Sequence, residues 1–135
     1  MKIALITCDR LPHGVKEDQP LFDALKTADI DYSICVWSES IDWSQFDACL
    51  LRSVWDYHEK KDAFMAWVYQ TSKVTRLLNP ADVIEWNSNK TYLKELADQQ
   101  LLIAPTAWLA KGSDITLLKE ITKLPESSQY FLKPT

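Results

Sequence analysis

The stretch Arg52-Ser53-Val54-Trp55-Asp56-Tyr57-His58 holds the densest mixture of charged, aromatic and hydrogen-bonding side chains in the sequence. A guanidinium is a planar fork of donors that matches a carboxylate or phosphate in two parallel hydrogen bonds. With Trp55 and Tyr57 as walls and Asp56 as a further polar group, Arg52 would make a site for a small anionic substrate. A plainer arrangement uses the same residues: Arg52 pairs with Asp56, and Trp55 packs under the following helix. Residue types alone do not separate the two.

Lys90 falls in the first turn of an expected helix, where a cation opposes the macrodipole unless an anion lies nearby. Lys133 falls in an alternating segment beside Phe131, just before Pro134. Together these ammonium groups could clamp a polyphosphate as point charges, with no glycine loop. Singly, each also reads as a solvated surface lysine. His13 and His58 are the only histidines, and neither has a histidine or cysteine at metal-ligand spacing, so no metal site is assigned. Ser53 and Ser113 lack the Gly-x-Ser-x-Gly context of a hydrolase nucleophile. Asp9, Asp56 and Glu85 are isolated carboxylates, ordinarily caps or solvated charges, and no catalytic residue is assigned.

The elements that must position these groups are bounded by composition. The chain has 135 residues, 47% apolar and 25% charged, enough for one ordinary globular domain and too apolar for disorder. A net charge of -4 gives no broad basic field, which excludes a non-specific nucleic-acid partner. The apolar start, Met1 to Ile6, is cut short by Asp9 and Arg10, far below the ~20 residues of a membrane span and without a cleavage site. A cytoplasmic chain with no membrane association is expected. Cys8, Cys35 and Cys49 are isolated thiols inside apolar runs, read as reduced, buried small hydrophobes. Gly14 and Gly112 are the only glycines, so neither the dinucleotide nor the phosphate-loop glycine motif can be written. The six tryptophans read first as core or groove wall.

Lys2 to Cys8, Asp31 to Trp37, Asp47 to Arg52 and the brief Arg76-Leu77-Leu78 read as strands. Helical spacing places Leu21, Phe22, Leu25 and Ala28 on one face of a helix, and Phe64, Trp67 and Val68 on another between Lys61 and Ser72. Asn79-Pro80-Ala81-Asp82 is a helix start, with a capping Asn, a Pro in the first turn and an early anion; that helix runs through Glu85. Asn87, Ser88 or Asn89 can cap a further helix buried through Leu93, Leu96 and Ala97. Leu102 to Trp108, interrupted by Pro105, is an edge or connector; Ile115, Leu118 and Ile121 make a last helix, and Gln129 to Lys133 alternates like a strand. Strands alternating with helices predict an α/β fold, an open, mostly parallel sheet with helices on both faces. Such sheets bind ligands beyond the carboxyl ends of their strands, which is where Thr7, Asp9 and Arg10, the Arg52 to Tyr57 stretch, and Asn79 fall.

The strings Leu51-Arg52-Ser53-Val54-Trp55-Asp56-Tyr57, Asn79-Pro80, Trp86-Asn87-Ser88-Asn89-Lys90-Thr91-Tyr92-Leu93-Lys94-Glu95-Leu96, Pro105-Thr106 and Phe131-Leu132-Lys133-Pro134, in that order, resemble the N-terminal part of ATP-grasp ligases. They are most similar to the branch holding glutathione synthetase-like proteins, ribosomal-protein-modifying glutamate ligases and the cyclo-ligase of D-cycloserine biosynthesis. The resemblance implies a flavodoxin-like pre-ATP-grasp α/β domain over residues 1–87 and the truncated beginning of an ATP-grasp domain over 88–135. It implies that Lys90 and Lys133 contact ATP phosphates and that Arg52, Trp55, Asp56 and Tyr57 hold the substrate. The complete enzyme would use ATP and Mg2+ to join a small-molecule carboxylate to an amine through an acyl phosphate. The glycine-rich loop, adenine hinge and metal-binding acids of that family do not occur before Thr135. The 135 residues are therefore expected to be a fragment, catalytically incomplete and without tight ATP binding. The rival expectation is a stand-alone flavodoxin-like module that binds a small ligand or docks a partner without catalysis.

Overall fold

A computed structural model describes residues 1–110, 112 and 116–133 of the chain. Expectations attached to Ser113, Ile115 and Pro134 fall outside the described residues. The chain divides into two compact units, Met1–Ser88 and Asn89–Thr135.

In the first unit β1 (Lys2–Thr7), β2 (Asp31–Val36), β3 (Ala48–Ser53) and β4 (Arg76–Leu77) form a sheet in the order β2-β1-β3-β4, every neighbouring pair parallel. The helices are α1 (Gln19–Thr27), α2 (Lys61–Thr71) and α3 (Ala81–Ser88). This is the expected α/β architecture. β1 is central and almost wholly buried, which is why its sequence is a continuous apolar run rather than an alternating one. Its register separates the two faces: Ile3 and Leu5 lie beside Tyr32 and Ile34, Ala4 and Ile6 beside Ser33 and Cys35. On the first face the Tyr32 ring stacks on Phe22 of α1, centroids 5.5 Å apart. On the second, Ala4, Ile6, Cys8, Cys35 and Cys49 pack with Phe64, Trp67 and Val68 of α2 and Ile84 of α3. Helices thus cover both faces.

The aromatic centre of that second layer is Trp37, Phe64 and Trp67, with Phe64 5.4 Å from Trp37 and 5.7 Å from Trp67. Core packing therefore accounts for Trp37 and Trp67, whereas Trp55 is 61% exposed. All three thiols are buried, and burial pushes Cys49 up to about 11, so it stays protonated and inert. The apolar stripe of α1 is only half-buried. Beyond the cap residue Ala28, Asp29 has a φ of 53° that turns the chain so that Ile30 N–H donates back to the Leu25 carbonyl at 2.9 Å. Helix α3 begins at Ala81, one residue later than the Asn79 cap and Pro80 first turn expected: the Pro80 carbonyl accepts from Ile84 N–H at 3.0 Å, and the early Asp82 carboxylate from Val83 N–H at 2.9 Å. It runs three residues past Glu85, to Ser88.

The second unit contains α4 (Tyr92–Asp98) and α5 (Leu117–Ile121). The cap expected at Asn87, Ser88 or Asn89 is corrected: the residue ahead of α4 is Thr91, without a side-chain capping bond, and Asn89 instead accepts Thr91 N–H at 3.0 Å within the preceding turn. Lys90 sits in the turn ahead of α4 rather than in its first turn, with its ammonium 5.7 Å from the Tyr92 ring centroid. Leu102 to Trp108 has no regular structure, as the connector reading expects. The strand expected over Gln129 to Lys133 is corrected: those residues are irregular and exposed. Alternation is a pattern a strand needs, but a strand also needs a neighbour to take its hydrogen bonds.

Candidate functional site

The loops leaving the carboxyl ends of β1 and β3 are tied together. Lys60 Nζ donates to Asp9 Oδ2 at 2.8 Å, Ser38 Oγ to Asp9 Oδ1 at 2.7 Å, and Arg10 Nη2 to both carboxylate oxygens of Glu59 at 2.7 Å. The Lys60 and Ser38 hydrogen bonds hold the Asp9 carboxyl below its ordinary value, and Glu59 raises Arg10 in the same way. Below this rim the Trp37 indole donates to the carboxylate of Asp56 at 2.9 Å, and Asp56 is 3% exposed.

Beside the rim, past the ends of β3 and β4, lies a cleft of about 290 Å3. Leu51, Val54, Phe64, Val83 and Ile84 give it an apolar wall, and Arg52, Tyr57, Asn79, Asn87 and Ser88 a polar one. This is where a parallel sheet places its ligand. Its size and mixed lining suit a small amphipathic molecule rather than a polymer.

Arg52 occupies an irregular position. Ile6 is level with Leu51 and Thr7 with Ser53, so Arg52 is the extra residue of a bulge in β3. Bulges of this kind re-aim a side chain. The guanidinium meets Asp18, Nε at 3.1 Å and Nη2 at 2.5 Å from the same oxygen, Oδ1, while Ser53 Oγ donates to Oδ2 at 3.2 Å. The plainer pairing of Arg52 with Asp56 is therefore corrected, because Asp56 is taken by Trp37. The packing of Trp55 under a helix is corrected too, since its ring faces solvent.

Of the residues the sequence singles out, the structure brings Arg52, Tyr57 and Asn79 into the lining of the cleft. Tyr57 packs edge-on to His58 and against Phe64, which restrains its ring in the lining. Asp56 is a buried acceptor behind the wall, and Trp55 is not among the lining residues. Lys90 and Lys133 belong to the second unit, Lys133 exposed and outside any helix or strand. Asp18 is missed from sequence, since Asp18-Gln19-Pro20 reads as an ordinary helix start. Asn87 and Ser88 are legible only as possible caps, although helical spacing puts Val83, Ile84, Asn87 and Ser88 on one side of α3.

Residues 3–79, which include all of β2, β3 and β4, all of β1 but Lys2, and both α1 and α2, match the family model described as D-cycloserine synthetase DcsG, N-terminal domain. The chain belongs to this family. It is 34% identical to the cycloserine biosynthesis protein DcsG of Streptomyces lavendulae, over 98% of this chain and 46% of that protein. The crystal structure of D-cycloserine synthetase DcsG superposes on it with a TM-score of 0.74 at 34% identity, covering 84% of this chain and 39% of the other. The chain thus spans about half the length of the DcsG relative it matches. Within the family frame, the cleft and bulge lie on elements of the matched segment, apart from the α3 wall. Among the described residues, no helix is long and apolar enough to cross a membrane.

Proposed function

We propose that this chain is the N-terminal part of an ATP-grasp carboxylate–amine ligase and that its cleft holds the small carboxylate substrate. The observation that carries the reading is the family match over residues 3–79, joined to a cleft with an arginine at the strand ends inside that segment. Arg52 would orient the carboxylate, Tyr57 would close the mouth beside Phe64, and the apolar wall would take the rest of the substrate. Trp55, exposed and outside the lining, would have to swing over a bound molecule to touch it, and buried Asp56 would act only indirectly, by holding Trp37. Lys90 and Lys133 would neutralise the phosphates of ATP while the carboxylate takes up the terminal phosphoryl group; an amine then displaces phosphate to form the amide-type bond. The described residues contain no cluster of His, Cys, Asp or Glu that fits Mg2+, so no step is assigned to the metal here. By itself the chain should neither complete the reaction nor hold ATP tightly, because two lysines leave the base and sugar without partners.

Steady-state kinetics of a protein of the relative's length tests the division of roles. Arg52→Ala is expected to raise KM for the carboxylate about tenfold or more with little change for ATP, and Lys133→Ala to do the reverse. Equal effects on both substrates would remove the assignment.

A further inference from the structure

We propose that Asp18 is a positioning residue that sets the guanidinium of Arg52 end-on to the cleft, making the cleft selective for a carboxylate over its neutral isostere. The proposal rests on the reading of the cleft as a substrate site.

Successive side chains of a regular strand point to opposite faces, so neighbours such as Arg52 and Ser53 should not reach one group. The bulge at Arg52 removes that restriction, and both donate to Asp18. Asp18 is 3% exposed, in a 3-10 turn that leads directly into α1. The turn is backed by Gly14, whose φ of 75° suits glycine and where a Cβ would lie 3.7 Å from Asp18 Oδ2. Nε and Nη2 form one edge of the fork, and Asp18 Oδ1 takes that edge. The other edge, Nη1 with the second hydrogen of Nη2, is left for a carboxylate in the cleft that Arg52 lines. A long side chain already fixed along one edge loses little freedom when a ligand meets the other.

Removing Asp18 has two opposed consequences. The negative charge behind Arg52 disappears, which by Coulomb's law would strengthen anion binding. The fork also loses its anchor, which would weaken bidentate recognition. The proposal requires the second effect to win.

The 15N-labelled chain can be titrated with benzoate and with benzamide, neutral and nearly the same shape, following the amides of Asn79, Ile84 and Asn87. Benzoate is expected to bind about tenfold more tightly than benzamide, and Asp18→Asn to bring that ratio close to one by lowering benzoate affinity. Arg52→Lys, which keeps the charge and loses the fork, should collapse the ratio likewise. Ser53→Ala keeps both charges and should lower it several-fold, which supplies the test if Asp18→Asn does not fold. An unchanged ratio, or stronger benzoate binding, in Asp18→Asn or Ser53→Ala would overturn the role of Asp18 and leave the cleft as a carboxylate site. Equal binding of the two probes by the unsubstituted chain, or none by either, would overturn the substrate reading and this proposal with it.

Discussion

The two units have similar elements in very different states of burial. Residues 1–88 hold a parallel sheet covered on both faces, with Leu5, Ile6 and Val68 fully enclosed. Among the described residues of 89–135 only Glu120 is buried, and Leu102, Leu118, Phe131 and Leu132 are exposed. In helix α4, Leu93 and Leu96 are only half-buried. Amphipathic sequence thus specifies a helix in both units, but enclosed apolar area, the main term that opposes chain entropy, is found in one.

The contrast would break most visibly under truncation of apolar side chains. Leu5→Ala, at a side chain 2% exposed, should cost about 2–5 kcal/mol by urea unfolding, while Phe131→Ala, at 84% exposure, should stay within about 0.5 kcal/mol. Similar losses at both would mean that the second unit is packed as firmly as the first.

A smaller effect is expected from single polar partners. Trp37→Phe deletes the indole donor, leaving Asp56 buried without it at a cost of about 1–3 kcal/mol, with a further loss from the smaller ring in a packed site. Its counterpart in the second unit is Lys94, whose ammonium lies 4.8 Å from the Trp108 ring centroid; Lys94→Ala should cost about 0.5–1 kcal/mol or less. Denaturation midpoints of the two variants give the comparison directly.

The least effect comes from the rim. Asp9 is held below its ordinary value of 3.8, first by the Lys60 hydrogen bond and then by Ser38. A carboxylate with a lowered folded value contributes stability that is present above its unfolded value and is lost as pH falls through the folded one. Asp9→Asn should therefore lower the thermal midpoint slightly at neutrality, with the difference closing as pH falls below about 4, so that its decline in acid is the shallower one. A parallel decline in both proteins would show that the rim pair contributes nothing measurable.

How legible this was depended on range. The buried run of β1, the stripe of α2 and the presence of a helix after Pro80 are local patterns, and the structure follows them. Strand order is set by non-local pairing, so β2-β1-β3-β4 could not be read. Gln129 to Lys133 misleads because its alternation is local while a ladder partner is not. Of the Arg52, Trp55, Asp56 and Tyr57 singled out in one stretch, Arg52 and Tyr57 line the cleft and the other two do not, and the ion-pair partner of Arg52 lies 34 residues away, in a segment whose sequence says only that a helix begins. The bulge that joins them is invisible for a similar reason: Ala48 to Ser53 looks like a regular strand until β1 is laid beside it.

The three buried thiols lie together behind α2 and α3, in one layer with Phe64 and Ile84. A thiol reagent cannot reach them until that layer parts, and burial keeps Cys49 from ionising at neutral pH. The chain therefore carries its own clock of breathing motions: each modification event counts an opening of the sheet's covered side, timed without any added label.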